Sequence, residues 1–423
     1  MLRSVLIAAL ALALGGRAAA QTAAATQAFQ TYSTQQSKDI QRLVDAKQYP
    51  QAFAKYADWH RAYDQLDAAT RQNFSSLPAN MYYNEACYHA LAKEKAPALQ
   101  AFRQAMGAGY KNYAHTLVDT DLDYVRGEKE FKQQLALLRA RGDYRYILQQ
   151  AQGYAAQRAA QWPAFSYQAA TEPQLVALRQ QYKLDSIAGK GNDVSQVINL
   201  MHWVHDRVQH DGQHNNPPLR NAQGLLAVCQ KENRGLNCRG LATVLNETYL
   251  AMGFQSRFVG CLPKDSTDSD SHVINSVYVP SQHKWLYMDP TQDAYVTDEQ
   301  GQLLSVLEVR QRLISGQPLL LNPTANWNHK VSATRQEYLE RYMAKNLYQL
   351  ERPVESRRDL ETRHPGDVTH YVRLVPVEAF NPKRATQTWK GKDVTIITHY
   401  TTDADAFWQQ APAAASRRTL GAR

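Results

Sequence analysis

The sequence predicts an α+β fold with a helical repeat region at the N-terminus and a small β-rich region near the C-terminus. Three observations support this prediction. Apolar residues recur at helical spacing early in the chain, an amphipathic helix followed by short strand-like runs occupies the middle, and two further strand-like runs lie near the end. The 423 residues suffice for two or three domains, and a hydrophobic content of 44% excludes a wholly disordered chain.

The N-terminus has the features of an export signal. Arg3 gives a basic start, residues 5–14 form an apolar run, and small residues at 18–20 precede Gln21. The apolar run is too short to span a bilayer, which takes roughly 20 residues. Residues 1–20 are therefore predicted to be a signal peptide, and the mature protein to be periplasmic or secreted and not an integral membrane protein. An uncleaved membrane anchor is the alternative.

Residues 37–141 are predicted to form helical repeats. Apolar residues recur three, four, seven and eight positions after Tyr83, and a similar pattern starts at Ala98. The spacing around Ala98 is repeated earlier, around Ala52. The run 83–138 resembles a terminal tetratricopeptide unit. Such a region provides packing and spacing, or alternatively a groove that binds peptides.

Residues 185–330 are predicted to form an α+β core. Two amphipathic helices are expected at 194–209 and 237–252, because the apolar residues of each fall on one face. Strand-like runs follow at 256–262, 273–279 and 284–288. A helix followed by antiparallel strands is an α+β arrangement.

A smaller β-containing region is predicted at 331–410, where a helical piece at 338–348 precedes strand-like runs at 370–377 and 393–400. Residues 411–423 are basic and rich in alanine, as is typical of a disordered tail. The net charge of the chain is +9. No nucleic-acid-binding motif accompanies this charge, so no nucleic-acid partner is expected.

Cys238 has the sequence surroundings of a nucleophilic thiol. It follows Asn237, a good N-cap residue, and it opens a helix whose positive end lowers the pKa of the thiol. His272 begins a predicted strand and is the candidate base, and Asp289 ends the next strand, where it can orient the histidine. A nucleophile on a helix packed against a sheet is the papain-like arrangement. Considered alone, Cys238 would be a buried packing residue.

Two segments resemble the transglutaminase-like superfamily. The segment NCRGLATVLNETYLAMGFQSRFVGC is similar to that family's nucleophile helix and following strand, and HVINSVYVPSQHKWLYMDPT to its histidine strand and closing W…DPT motif. The resemblance covers 194–327, roughly a third of the chain. It implies a transglutaminase-like (papain-like) core in which Cys238, His272 and Asp289 are the catalytic residues. Val273 departs from the pattern, because many members have an aromatic residue after the histidine.

The resemblance also implies an oxyanion donor upstream of the nucleophile, without fixing which residue it is. Asn221, Gln223 and Trp203 are the candidates. If Cys238 stays free, the other three cysteines can form at most one disulfide; Cys229 with Cys261 is a possible pair, which the sequence leaves open.

Two clusters of side chains contain residue types that bind metals. They are His202, His205, His210 and His214, and the acidic loop Asp265, Asp268 and Asp270. No nearby Cys or Glu completes a zinc ligand set for the histidines. The acidic loop lacks the Gly and the terminal Glu of a calcium loop. No cofactor and no metal are therefore expected.

The sequence thus predicts a thiol-dependent amide or peptide hydrolase or acyltransferase that works through a thioester. Water as the acceptor makes the protein a protease or deamidase, which is favoured, and an amine makes it a cross-linking transferase. The expected partner is a protein or peptide substrate, such as a cell-envelope peptide. The alternative is a non-catalytic exported scaffold that binds through its helical repeats.

If residues 1–20 are removed on export, the mature protein begins at Gln21. N-terminal sequencing of protein recovered from the periplasm or the medium is expected to read Gln21 first. Soluble cytoplasmic protein that retains Met1 as its only N-terminus would contradict the assignment.

Overall fold

The computed structural model describes residues 2–156 and 162–409, and their side chains from residue 21 onward. The predicted tail at 411–423 lies outside the described residues, and so do the side chains of the predicted signal peptide at 1–20. In the described part of the chain, no helix is both long enough and apolar enough to span a membrane.

Two compact units are distinguished, the first of which ends at Asp143 and the second of which begins at Tyr144. The other domain boundaries given above stay predictions. The regular structure described in the first unit is helical. Its α-helices span Leu2–Asp45, Tyr49–Asp64, Ala68–Gln72, Leu77–Leu91, Lys95–Gly107, Tyr113–Val118, Asp123–Arg126 and Lys129–Gly142, with a 3-10 turn at Thr120–Leu122.

Helices Leu77–Leu91 and Lys95–Gly107 pack against each other through the two apolar faces that the sequence indicates. The ring of Tyr83, on the first of these helices, stacks on that of Tyr110 with centroids 4.2 Å apart. Gly109 ends the pair with a φ of +96°, a conformation that residues with a Cβ rarely adopt. The helical character of this region agrees with the prediction, and its likeness to tetratricopeptide repeats stays a prediction.

Seven strands form one sheet in the second unit. They are β1 (Ser256–Leu262), β2 (His272–Val279), β3 (Lys284–Met288), β4 (Gln349–Pro353), β5 (Asp367–Leu374), β6 (Thr386–Lys390) and β7 (Val394–Thr401). Their order across the sheet is β6-β7-β5-β4-β1-β2-β3. Strands β5 and β7 are parallel, and the other neighbours in this sheet are antiparallel.

Helices and short strand pairs surround this sheet. The α-helices span Tyr144–Gln149, Pro173–Gln181, Leu184–Ala188, Asp193–Arg207, Ala222–Glu232, Cys238–Ala251, Val306–Ser315, Ala344–Asn346 and Ala404–Trp408, and Arg335–Met343 is a π-helix. The 3-10 turns are Pro280–Gln282, Val377–Ala379 and Pro382–Arg384. The short strand pairs are Ser166–Tyr167 with Glu355–Ser356, Val296–Thr297 with Leu320–Leu321, and Asn326–Trp327 with Val331–Ser332.

Helix Cys238–Ala251 packs against β1 and β2. Its apolar residues, including Leu241 and Leu245, share one core with Val277 of β2. The side chain of Asn275 also donates a hydrogen bond of 2.9 Å to the carbonyl oxygen of Ala242, within the second turn of the helix. The predicted helix-on-sheet packing is therefore present.

The strands beyond residue 331 are part of the core sheet. Strand β4 pairs with β1 in antiparallel register, with Leu350 opposite Cys261, and β5 pairs with β4. The region predicted at 331–410 contains strands, and these strands continue the sheet that contains β1 and β2. The physical reason is that β1 without β4 would expose an edge of unpaired backbone groups.

A chain that ends at Lys330 is expected to lose the cooperative folding of the second unit, because β1 then lacks its partner β4. Urea denaturation followed by circular dichroism would compare this shortened chain with the full chain. A cooperative transition of unchanged midpoint in the shortened chain would show that the strands beyond Lys330 are dispensable.

Candidate active site

Cys238 is the first residue of helix Cys238–Ala251. The side-chain oxygen of Asn237 accepts a hydrogen bond from the backbone N–H of Gly240 at 3.1 Å, and it also accepts one from the side chain of Asn216 at 2.8 Å. The predicted N-cap is therefore formed. The unpaired N–H groups of the first turn give this end of the helix a partial positive charge that favours a thiolate.

His272 is the first residue of β2, and Asp289 directly follows β3. The antiparallel pairing of these strands brings the two side chains together, with Nε2 of His272 at 2.7 Å from Oδ2 of Asp289. Both residues are buried, at 2% and 0% exposure. The carboxylate thus occupies Nε2 of the imidazole, which leaves Nδ1 free to serve the thiol of Cys238, whose pKa His272 lowers.

Asp289 is held by three donors. In addition to His272, the hydroxyl of Tyr338 donates to Oδ2 at 2.5 Å and the backbone N–H of Thr291 donates to Oδ1 at 2.8 Å. A second hydroxyl, of Tyr287, lies 2.5 Å from that of Tyr338. The sequence indicated only helical structure here, and the π-helix that places Tyr338 over the carboxylate is of a kind often found at functional sites.

Electrostatics inside this cluster favour a thiolate beside an imidazolium. Burial by itself would raise the pKa of Cys238, but side-chain hydrogen bonds from His210 and His272 and the charge of His272 lower it to about 6. Burial by itself would lower the pKa of His272, but the charge of Asp289 and its hydrogen bond raise it to about 10. Burial acts to raise the pKa of Asp289, but the charge of His272 and the hydrogen bonds from His272, Tyr338 and Thr291 together outweigh it and keep that pKa below its usual value.

His210 also reaches the thiol, and the sequence did not assign it to this site. Its side chain is among the groups that lower the pKa of Cys238. It lies in a polar loop that pairs through its backbone with Leu236, two residues before the nucleophile. Because this pairing joins segments distant in sequence, no local pattern marks His210, and the only available signal was its position upstream of Cys238.

The three candidate oxyanion donors named from the sequence have other contacts. Asn221 caps helix Ala222–Glu232, where its side-chain oxygen accepts the N–H of Gly224 at 2.9 Å. The amide of Gln223 donates to Gln181 at 2.8 Å. The ring of Trp203 packs against Tyr182, with centroids 5.6 Å apart. The structure does not bring these side chains together with the thiol as it does His210 and His272.

The remaining histidines of the cluster each have a separate partner. His202 pairs with Asp293, His205 contacts the carbonyl oxygen of Pro290 at 3.0 Å, and His214 contacts Asp211 at 2.6 Å. These contacts do not converge on one point.

The acidic loop is neutralised from within the chain. The ammonium group of Lys345 lies 2.7 Å from a carboxylate oxygen of Asp270 and 3.3 Å from one of Asp268. It also donates to the backbone oxygen of Asp270 at 2.6 Å. The four cysteines are unpaired, so Cys229 and Cys261 form no disulfide in this structure.

A cavity of about 390 Å³ opens beside these groups. Aromatic and aliphatic side chains line much of it: Trp327, Val331, Ala333, Tyr338 and Tyr342. The cavity borders the candidate triad through Tyr342, whose ring packs edge-on against His272 with centroids 5.3 Å apart. The arrangement therefore offers an apolar surface next to a buried base.

Comparison with known proteins agrees with the resemblance seen in the sequence. Residues 180–290, which include Cys238, His272 and Asp289, match the transglutaminase-like superfamily. Among curated proteins, no sequence matches this chain.

Two solved structures have local similarity. One is a proposed cysteine protease from Cytophaga hutchinsonii, with 17% identity and a TM-score of 0.22 over 30% of this chain and 40% of that chain. The other is a proposed protease from Parabacteroides distasonis, with 17% identity and a TM-score of 0.20 over 32% of this chain and 30% of that chain. The chain thus spans less than half of the length of either protein. On the sequence match and the α+β architecture, residues 180–290 of this chain form a transglutaminase-like domain.

Proposed function

We propose that this protein hydrolyses amide or peptide bonds through a thioester on Cys238. The observation that supports the proposal is the placement of Cys238, His272 and Asp289 at the meeting point of a helix start and two adjacent strands. With a thiol pKa of about 6 and an imidazole pKa of about 10, the thiolate–imidazolium pair predominates at neutral pH. A thiolate is the nucleophilic form of cysteine.

The three residues would act in sequence. The thiolate of Cys238 attacks the carbonyl carbon, and the leaving amine takes its proton from the imidazolium of His272. His272, now neutral, accepts a proton from water, which cleaves the thioester and releases the acid. Asp289 keeps the imidazole in the required orientation and stabilises its charged form.

The cavity beside the triad supports a peptide substrate with an apolar side chain near the scissile bond. Trp327 and Val331, which line it, are 38% and 59% exposed. Large exposed apolar residues around a pocket next to reactive groups are typical of ligand sites. Export by way of residues 1–20 would place the activity in the periplasm or outside the cell, where envelope peptides are available.

Alkylation with iodoacetamide is expected to identify Cys238 as the reactive thiol. The labelling rate of Cys238 should increase with pH around an apparent pKa of about 6, because only the thiolate reacts with iodoacetamide. The rate should therefore be close to its maximum by about pH 7. Cys229 is an internal control, since burial raises the pKa of that thiol. His272→Ala should move the apparent pKa of Cys238 upward by removing a donor and a positive charge. Mass spectrometry after timed labelling would give both rates.

Equal labelling of Cys238 and Cys229, unaltered by His272→Ala, would contradict the catalytic assignment. The exported binding scaffold would then be the better interpretation of the chain.

An activated ester, 4-nitrophenyl acetate, is expected to acetylate Cys238 with release of 4-nitrophenolate. Cys238→Ala should abolish the acetylated species, and His272→Ala should slow turnover by roughly 10²–10⁴-fold, the usual contribution of a general base. Asp289→Asn should have a smaller effect, because the amide can still hold the imidazole. Stopped-flow absorbance and mass spectrometry would follow the two steps.

Adding glycinamide to the same reaction separates hydrolysis from transfer. Free acetate as the main product supports the proposed hydrolase, whereas acetylglycinamide as the main product would identify an acyltransferase.

A further inference from the structure

Backbone hydrogen bonds hold the segment that contains His210 next to the residues that precede Cys238. The backbone N–H of Leu236 donates to the carbonyl oxygen of Gln209 at 3.1 Å, and that of Asp211 donates to the carbonyl oxygen of Leu236 at 2.7 Å. Gly235 permits this approach, because a Cβ at that position would lie 2.2 Å from the Gln209 oxygen. The pairing therefore fixes the backbone of His210 beside the start of the nucleophile's helix.

The side chain of Asn328 also holds the backbone of His210 through two hydrogen bonds. The side chain of Asn328 accepts the backbone N–H of His210 at 2.6 Å and donates to its carbonyl oxygen at 2.9 Å. Asn328 is in the left-handed region, with a φ of +54°, which asparagine tolerates better than most residues. Both backbone groups of His210 are thus satisfied, and the direction of its side chain is restricted.

The tautomer of His210 is set by Trp327. The indole N–H, which can only donate, lies 3.4 Å from Nδ1 of His210. Nδ1 must therefore be the acceptor, so the neutral ring carries its proton on Nε2. The nitrogen that remains on the side of Cys238, whose pKa His210 lowers, is therefore a donor. His210 consequently cannot act as a base towards the thiol at this nitrogen, a role that His272 already fills.

From these contacts we propose that His210 is the side-chain donor of the oxyanion hole, with the backbone N–H of Cys238 as the second donor. That N–H has no carbonyl partner one turn earlier, because Cys238 is the first helical residue. The assignment rests on the proposed function. It names His210 as the side-chain donor in place of the three candidates suggested by the sequence, Asn221, Gln223 and Trp203.

In the proposed reaction, the oxyanion forms when the thiolate attacks the carbonyl group. The thiolate sulfur of Cys238 forms a bond to the carbonyl carbon, and the π electrons of the carbonyl move to its oxygen. The Nε2–H of His210 stabilises this oxyanion without transferring its proton. When the intermediate collapses, the oxygen pair re-forms the carbonyl, the C–N bond breaks and the amine leaves with the proton of His272.

The test compares two reactions of the same thiol. Acylation by 4-nitrophenyl acetate forms an oxyanion, whereas alkylation by iodoacetamide displaces iodide and forms none. Both are measured as pH-independent plateau rates above the thiol titration, so that a change in thiolate fraction does not enter the comparison. Circular dichroism of each variant checks that it is folded.

His210→Asn is expected to lower the acylation plateau by about 10²–10³-fold, the usual cost of losing one oxyanion donor. Its amide is one bond too short to reach the position of Nε2. The alkylation plateau should not fall, because alkylation forms no oxyanion and a thiolate that loses a hydrogen-bond donor becomes no less nucleophilic. His210→Gln, whose amide nitrogen can occupy that position, should recover most of the acylation rate. The exposed His214, in the same loop, is the matched control, and His214→Ala should leave both rates unchanged.

Trp327→Phe provides a test in which His210 itself is retained. It removes the N–H that fixes the tautomer, so acylation should slow while alkylation stays the same. Equal losses in both reactions, or no loss of acylation in His210→Asn, would overturn the assignment while Cys238 and His272 remain catalytic. If the unmodified protein forms no acetyl-Cys238 at all, the proposed function fails and the oxyanion assignment fails with it.

Discussion

The buried hydrogen bond between His272 and Asp289 is the interaction on which the rest of the site depends. A carboxylate in this position, at 0% exposure, is stable only when its oxygens are paired. The imidazole, the hydroxyl of Tyr338 and the N–H of Thr291 provide these partners at distances between 2.5 and 2.8 Å. They come from a strand, a π-helix and a turn, so the carboxylate is paired only when all three have assembled.

The π-helix and the residues after it also make contacts farther from the reacting atoms. The loop that leads into β2 is held to the segment after the π-helix by Lys345, which pairs with Asp268 and Asp270. Tyr342, one helical turn beyond Tyr338, covers the imidazole from the side of the cavity. Residues beyond 331 therefore contribute both a partner of the buried carboxylate and part of the apolar surface beside the site.

Two buried arginines join the C-terminal helix Ala404–Trp408 to that sheet. The guanidinium of Arg257 lies 5.3 Å from the ring centroid of Trp408, and that of Arg352 lies 5.3 Å from that of Phe407. Burial lowers the pKa of Arg257 to about 10, so this side chain stays charged at neutral pH. Aromatic faces, whose π electrons attract a cation, offset part of the cost of burying the charge of Arg257.

The sequence by itself determined the local features of this protein. Periodicity identified the helix that Cys238 opens, short strand-like runs identified β1 and β3 to the residue, and Asn237 was predicted and found as the N-cap. These features follow from rules that act within a few residues. The order of cysteine, histidine and aspartate, with strand ends nearby, was also enough to name a triad as a prediction.

Only the tertiary structure decided which distant groups meet at the thiol. The approach of His210 depends on a backbone pairing with Leu236 and on the side chain of Asn328, and the cover of Asp289 depends on Tyr338 from a helix far along the chain. The joining of β4 to β1 was likewise not visible in either strand alone. Such contacts are set by how buried donors, acceptors and strand edges are satisfied across the whole fold, and no pattern within a short segment encodes them.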